Sequence, residues 1–174
     1  MIPKKYTKIG EVYPKDFDSL IKDGIQKSYF QIIDGKVIYL KQSFADNFED
    51  PEEKVRIGLF YDLIEKYGYK NHKEIIDLEF KRTIGHPYKV NKSLLDIILY
   101  RQDKTPFAIF ELKSESDYER YFEDSIKTQL FERAANEDKG SGMLNYLIYY
   151  TRYYEDAELI EKTQVINFPS EKSR

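Results

Sequence analysis

Apolar residues recur along this chain in two rhythms, and the change of rhythm marks the elements. The stretch Leu94–Lys113, LLDIILYRQDKTPFAIFELK, holds two nearly continuous apolar runs, Leu94–Tyr100 and Pro106–Lys113, separated by the polar Arg101–Thr105. Such runs predict two β-strands joined by a turn, apolar enough on both faces to lie in the middle of a sheet. Tyr29–Leu40 places Asp34-Gly35 between two short apolar segments, which predicts a hairpin. Ile75–Phe80 continuing to Ile84, Met143–Tyr153 and Gln164–Phe168 are the remaining predicted strands. The helical rhythm appears after Asp50-Pro51. Asp50 suits an N-cap and Pro51 the first helical position; Val55, Leu59, Leu63 and Tyr67 then form one stripe, and Gly68 ends the helix. Asp16–Lys27 predicts a short helix. Asp117 to Ala135 predicts a longer one, with Phe122, Ile126 and Gln129 on one face. Met1–Tyr13, Ser43–Asp50, the SESD link after Lys113, Lys139–Gly142 and the PSEKSR tail read as irregular. Strands interleaved with helices predict an α/β fold in a single domain, residues 1–174: a central mixed β-sheet flanked by helices, with an N-terminal β-hairpin extension over 1–48 and a core over 50–168.

Two residues break the apolar pattern where a core strand has no use for them: Asp96 and Glu111. Alternation along a strand puts Glu111 and Lys113 on one face with Phe107 and Ile109, and Ala108, Phe110 and Leu112 on the other. An ionised carboxylate buried alone costs several kcal/mol, so buried acids are paired or bind a metal. Two acids and a lysine closing an apolar hairpin suit a hard cation such as Mg2+, which takes oxygen ligands. An isolated E-x-K triplet is a weak signal, more often a solvated pair. Glu52 lies on the same helical stripe as Val55 and Leu59, at the helix start; Glu53 is turned about 100° away. Glu52 reaches toward the acids, or both glutamates simply complement the positive helix N-terminus. Glu79 supports the same acids or faces solvent on an edge strand, the latter being favoured. Gln129 faces inward, where its amide both donates and accepts.

Charge alters this picture little. The 174 residues include 28 Lys and Arg against 31 Asp and Glu, a net charge of −3, so bulk charge does not draw the chain to nucleic acid. Lys81–Lys92 is the exception, with Lys81, Arg82, Lys89 and Lys92 and no acid: a solvated loop or a phosphate-contacting patch. The absence of cysteine excludes disulfides, thiolate catalysis and cysteine zinc sites, and fits a reducing compartment. His72 and His86, expected at the surface, are too few for a histidine metal site. No apolar run is long enough to span a membrane. Tyr146, Tyr149, Tyr150, Tyr153 and Tyr154 are read as packing rings rather than a base-stacking platform. Lys139–Gly142 lacks the lysine and spacing of a phosphate-binding loop.

Taken together, an apolar strand with Asp96 and a second closing on Glu111-Leu112-Lys113 resemble the PD-(D/E)xK nuclease superfamily. More narrowly, Asp50–Ala134 is similar to the N-terminal nuclease domain of type I restriction enzyme R subunits. The likeness rests on DPEEKVR (Asp50–Arg56), LIEKYGY (Leu63–Tyr69), IIDLEF (Ile75–Phe80), DIILY (Asp96–Tyr100), FAIFELK (Phe107–Lys113) and Gln129. Two departures stand out: Leu95 replaces the proline before the aspartate, and Arg133 replaces the tyrosine of a Q-x-x-x-Y motif. The resemblance implies a restriction-endonuclease-like core and a type I site-specific deoxyribonuclease activity, the metal-dependent endonucleolytic cleavage of double-stranded DNA. Its implied catalytic set is Asp96, Glu111, Lys113, Glu52 and Gln129, with Glu53 in reserve as the helix acid. The implied metal ligands are Asp96, Glu111 and the Leu112 carbonyl, holding Mg2+ with Mn2+ as a substitute. Further expectations are modification and specificity subunits as partners, a helicase motor that alone would use ATP and is absent from this chain, no membrane, a prokaryotic cytoplasmic setting, and a chain that is a piece of a larger R subunit. The alternatives are a non-catalytic DNA- or protein-interaction module on the same fold, and a repair or junction-resolving nuclease of the same superfamily.

Overall fold

The structure is a computed structural model that describes residues 13–84, 91–124, 143–156 and 158–167, with the side chains of 79–84, 91–94 and 124 outside the description. Helix α1 spans Phe17–Gln26, capped by Asp16, whose carboxylate accepts from the Ser19 amide at 2.7 Å. The hairpin follows as β1 (Phe30–Ile33) and β2 (Lys36–Tyr39). Asp34 and Gly35 both take positive φ, 50° and 72°, as a two-residue hairpin turn requires. A third strand, β3 (Phe44–Asn47), pairs antiparallel with β2, from Lys36↔Asn47 to Tyr39↔Phe44. This corrects the loop expected over Ser43–Asp50. FADN is too short and polar to show a strand pattern; it is extended because β2 offers it a partner.

Helix α2 spans Pro51–Glu65, and Asp50 caps it by accepting from the Glu52 amide at 2.9 Å. Val55, Leu59 and Leu63 are buried as their stripe predicts, but so are Ile57, Phe60 and Tyr61. One apolar cluster joins them both to Leu20, Phe30, Val37 and Tyr39 of the N-terminal layer and to Ile76, Ile97, Leu99, Phe110 and Leu112 of the main sheet. The expected one-sided helix is therefore covered on two sides, because α1 and the small sheet pack over it. Tyr67 falls beyond the helix end and is exposed. Gly68 takes a φ of 75°, the turn that lets the chain leave.

The main sheet runs β4 (Ile76–Ile84), β5 (Asn91–Tyr100), β6 (Pro106–Leu112), β7 (Tyr146–Glu155) and β8 (Glu158–Asn167), in that spatial order. Only β6 and β7 are parallel, which makes the sheet mixed. Phe107 does not share a face with Ile109 as simple alternation expects. The β5–β6 register shifts between Leu99 and Tyr100, and Phe107 packs with the α2 cluster and against Tyr146. The parallel crossover from β6 to β7 contains α3 (Glu115–Tyr118) and α4 (Phe122–Asp124). Residues 119–121 separate these two helices, so the single helix expected from Asp117 is broken in its first turns, and part of SESD is helical. Its continuation through Ile126 and Gln129 lies outside the described residues.

On the second face Leu95, Ile98, Ile109, Leu147 and Tyr149 pack with Tyr118 and Leu144. Tyr149 is fully buried, its hydroxyl donating to the Tyr118 carbonyl at 2.8 Å, and Tyr150 is buried against α2, so these rings are core. Strand β8 begins well before the predicted Gln164. It is an exposed edge strand, so its residues show no apolar run; the ladder with β7, from Tyr146↔Asn167 to Glu155↔Glu158, makes it extended. The fold is thus a mixed α/β arrangement, a mixed sheet flanked by helices. Among the described residues no helix is long and apolar enough to cross a membrane.

A buried ion pair ties α2 to β7. Arg152 Nη1 donates to Asp62 Oδ2 at 2.9 Å, and the Tyr13 hydroxyl donates to Asp62 Oδ1 at 2.6 Å. Arg152 lies across Gly58, where a Cβ would stand 2.6 Å from Arg152 Cδ and Nε. Gly58→Ala is therefore expected to destabilise the protein by about 1–3 kcal/mol, as overpacking does, despite alanine's better helix propensity. Urea denaturation measures it; an unchanged midpoint would show that Arg152 is free to move aside.

Candidate active site

The first turn of α2, the middle of β5 and the C-terminal end of β6 meet at one corner. The β5–β6 ladder runs through Leu99↔Ala108, Ile98↔Ile109 and Ile97↔Phe110. Past Ile97 the side chain of Asp96 takes over: its Oδ2 accepts from the Leu112 amide at 2.7 Å. Leu95 packs with Ile98 while Ile97 packs with Leu99, so the two-residue alternation breaks at Asp96. That break brings its Oδ1 within 3.3 Å of Arg56 Nη2 on α2.

Arg56 also donates through Nη1 to Glu53 and stands 3.5 Å from Asp46 of β3; its guanidinium lies 5.3 Å from the centre of the Phe44 ring. Glu53 Oε1 accepts from the hydroxyl of Tyr39 at 2.6 Å. A second cation lies alongside. Lys113 Nζ donates to Glu111 Oε1 and to the Leu112 carbonyl, both at 2.8 Å, and is 3.5 Å from Glu52 Oε2. Glu53, Arg56, Asp96 and Glu111 are all under 8% exposed, so none is hydrated well enough to stand without a partner.

The balance of charge is uneven. Glu52, Glu53, Asp96 and Glu111 face Arg56 and Lys113, leaving an excess of negative charge in a buried setting. Burial, and next to it the charge of Asp96, push the Glu52 carboxyl up to about 7. Burial raises Glu53 likewise, to about 7, against the opposing effect of Arg56. For Lys113 burial works against the charged form, but Glu111 and Glu52 outweigh it and its pKa is raised. Lys113 is thus a cation at neutral pH, and Glu52 and Glu53 are the groups able to change protonation there.

The structure brings together Asp96, Glu111, Leu112, Lys113 and Glu52 of the residues put forward from the sequence. Gln129 lies outside the described residues, as do His86, Lys89 and the side chains of Glu79, Lys81, Arg82 and Lys92. His72 is exposed. Sequence reading missed Arg56, Tyr39 and Asp46, and held Glu53 only in reserve to Glu52. The signal was present: Glu53 and Arg56, three apart at the head of a largely apolar helix, have no solvated face once both sides of that helix are covered. Among the described residues no three His, Cys, Asp or Glu side chains are grouped so as to hold a metal ion by themselves. The oxygen donors nearest Lys113 are Glu111 Oε1 and the carbonyl of Leu112, two of the expected metal ligands.

Residues 51–129 match the family model for the type I restriction enzyme R protein N terminus (HSDR_N). The likeness seen in the motifs is thus shown over the span that holds Glu52, Asp96, Glu111, Lys113 and Gln129. No curated protein matches the chain.

The coupling of Glu52 to Asp96 has a measurable consequence. Asp96→Asn removes the neighbouring negative charge, so the Glu52 carboxyl is expected to move down from about 7 toward its ordinary 4.5, read by carboxyl NMR titration. Because folding raises this group, the folded state holds more protons than the unfolded one between those values, and its contribution to stability falls as pH climbs from 4.5 to 7. The variant is expected to flatten that slope. A Glu52 titration that does not move would assign the whole shift to burial.

Proposed function

We propose that this chain is a metal-dependent endonuclease domain acting on double-stranded DNA within a type I restriction system, and that Asp96, Glu111, Lys113 and Glu52 are its catalytic set. One observation supports this most: an acid from each of two adjacent strands, the lysine two residues after the second acid, and a helix acid are joined through hydrogen bonds at one buried corner. The family match over 51–129 supports the restriction setting, with modification and specificity subunits and a motor elsewhere in the assembly.

The donor set suits a hard divalent cation. Asp96 and Glu111 offer carboxylate oxygens and Leu112 a carbonyl, and Mg2+ commonly uses one or two carboxylates with waters and substrate phosphate for the rest. Burial lifts Glu52 first and the charge of Asp96 second, and the second of these is what such a cation would offset. When bound, Mg2+ or Mn2+ supplies Lewis acidity at the phosphate and a more acidic water. Asp96 is pinned at both oxygens, by the Leu112 amide and by Arg56, and so enters with its orientation set. Lys113, being held as a cation, is an electrostatic group rather than a base: its ammonium stabilises charge that develops on the phosphate oxygens. Glu52 Oε2 takes the proton that the attacking water gives up, which its raised pKa allows near neutral pH. Gln129 is assigned a supporting role from the following segment.

A second reading has its own observation. The carboxylates are already engaged by Lys113 and Arg56, as a non-catalytic interaction module on the same fold would need. Cleavage of plasmid DNA by the protein, with the rest of its complex, separates the two. The expected result is cutting that EDTA abolishes and Mg2+ or Mn2+ restores, and that Asp96→Asn or Lys113→Ala reduces by at least about a hundredfold, the scale of losing a transition-state contact. Cutting that persists in either folded variant would reject the assignment.

A further inference from the structure

The N-terminal layer reaches the corner where the proposed chemistry sits. We propose that Arg56 is a positioning residue for Asp96, itself held by Glu53 and by Tyr39, so that the small β1–β3 sheet sets the orientation of the aspartate from outside the catalytic set. The chain of contacts is continuous. Tyr39, fully buried on β2, donates to Glu53 Oε1 at 2.6 Å; Glu53 engages Arg56 Nη1; Arg56 Nη2 donates to Asp96 Oδ1 at 3.3 Å. From β3 of the same sheet, Phe44 lies under the guanidinium and Asp46 stands 3.5 Å from Nη1.

The geometry gives Arg56 a task that a mere counter-ion would not have. The Asp96 carboxylate has two oxygens, and each is anchored. One anchor is the Leu112 amide on Oδ2, at 2.7 Å; the other is Arg56 on Oδ1. With both, rotation about the carboxylate bond is blocked; with one, it is free. The planar guanidinium offers Nη1 to Glu53 and Nη2 to Asp96 from a rigid fork, a directed geometry that the single ammonium of a lysine would not reproduce. Partners that orient a ligating carboxylate are worth about 10–100-fold in metal affinity or activity when removed. The effect on metal binding rests on the nuclease reading given above, whereas the effect on Asp96 itself does not.

The test replaces both partners of the buried pair by neutral groups, Glu53→Gln with Arg56→Met. Removing Arg56 alone would leave Glu53 buried without compensation, while exchanging both ions for neutral groups is often tolerated. The first readout is amide hydrogen exchange by NMR. If Arg56 holds Asp96, the double variant lets the carboxylate turn away, and the Leu112 amide exchanges at least about tenfold faster while the Ile109 and Phe110 amides keep their protection. Unchanged Leu112 protection in the folded double variant overturns the proposal. Should that variant not fold, Arg56→Lys and Tyr39→Phe decide in its place, each expected to speed Leu112 exchange selectively and each overturning the proposal if it does not. The second readout is Mn2+ affinity by calorimetry. Arg56 is the cation that touches Asp96, and its removal would by itself favour a bound cation, so a loss of about 10–100-fold reports orientation rather than electrostatics. A wild-type protein that binds no Mn2+ counts against the metal reading alone, and Leu112 exchange still decides whether Arg56 positions Asp96.

Discussion

Four carboxylates and two cations share one nearly dry corner of this protein, and neither sign of charge is stable there without the other. Burying an ion costs several kcal/mol, and the cost is offset only where partners and hydrogen bonds are well placed. Arg56 answers Glu53 and Asp96, and Lys113 answers Glu111 and Glu52. Much of the architecture can be understood as what keeps these six groups in register. The N-cap at Asp50 starts α2 at the right residue. The break of alternation at Asp96 turns its carboxylate to the Leu112 amide, and the central position of β6 fixes Glu111 and the start of the segment after it.

The same constraint explains why α2 is unusual. A helix packed on a sheet ordinarily keeps a solvated face, and its charges sit there. Here α1 and the three-stranded sheet cover that face, so Glu53, Arg56 and Asp62 are buried and each is paired. At the helix start the pairing converges on Asp96. Further along the helix, at Asp62, it goes to Arg152 of β7, across the space that Gly58 leaves open. The helix is thus clamped to the sheet by charge at two points as well as by its apolar side chains. A nuclease site assembled there would be rigid before any ligand arrived, as a preorganised electrostatic site should be.

What was legible in the sequence was local chemistry. The Asp34-Gly35 turn, the Asp50-Pro51 start, the two apolar strands, and the placing of Asp96 inside the first and of Glu111 and Lys113 at the close of the second follow from turn preferences, capping and a two-residue period, which neighbouring residues decide among themselves. Boundaries failed where a partner strand did the deciding. FADN is extended only because β2 lies beside it, and Glu158–Thr163 only because β7 does. Phe107 changes face because of a shift in the β5–β6 register, which nothing within its own strand announces.

The sequence by itself determined which side chains are available: two acids inside apolar strands, a lysine two residues after one of them, a helix opening on two glutamates, and no cysteine to offer a different chemistry. Only the tertiary structure decided how those side chains are matched. Arg56 lies 40 residues from Asp96, and Tyr39 lies 14 from Glu53, separations over which no periodicity speaks. Which glutamate meets Lys113 and which meets Arg56 depends on how the helix is rolled against the sheet. That roll is set by the layer packed on its far side, through burial energy summed over residues distant in the chain.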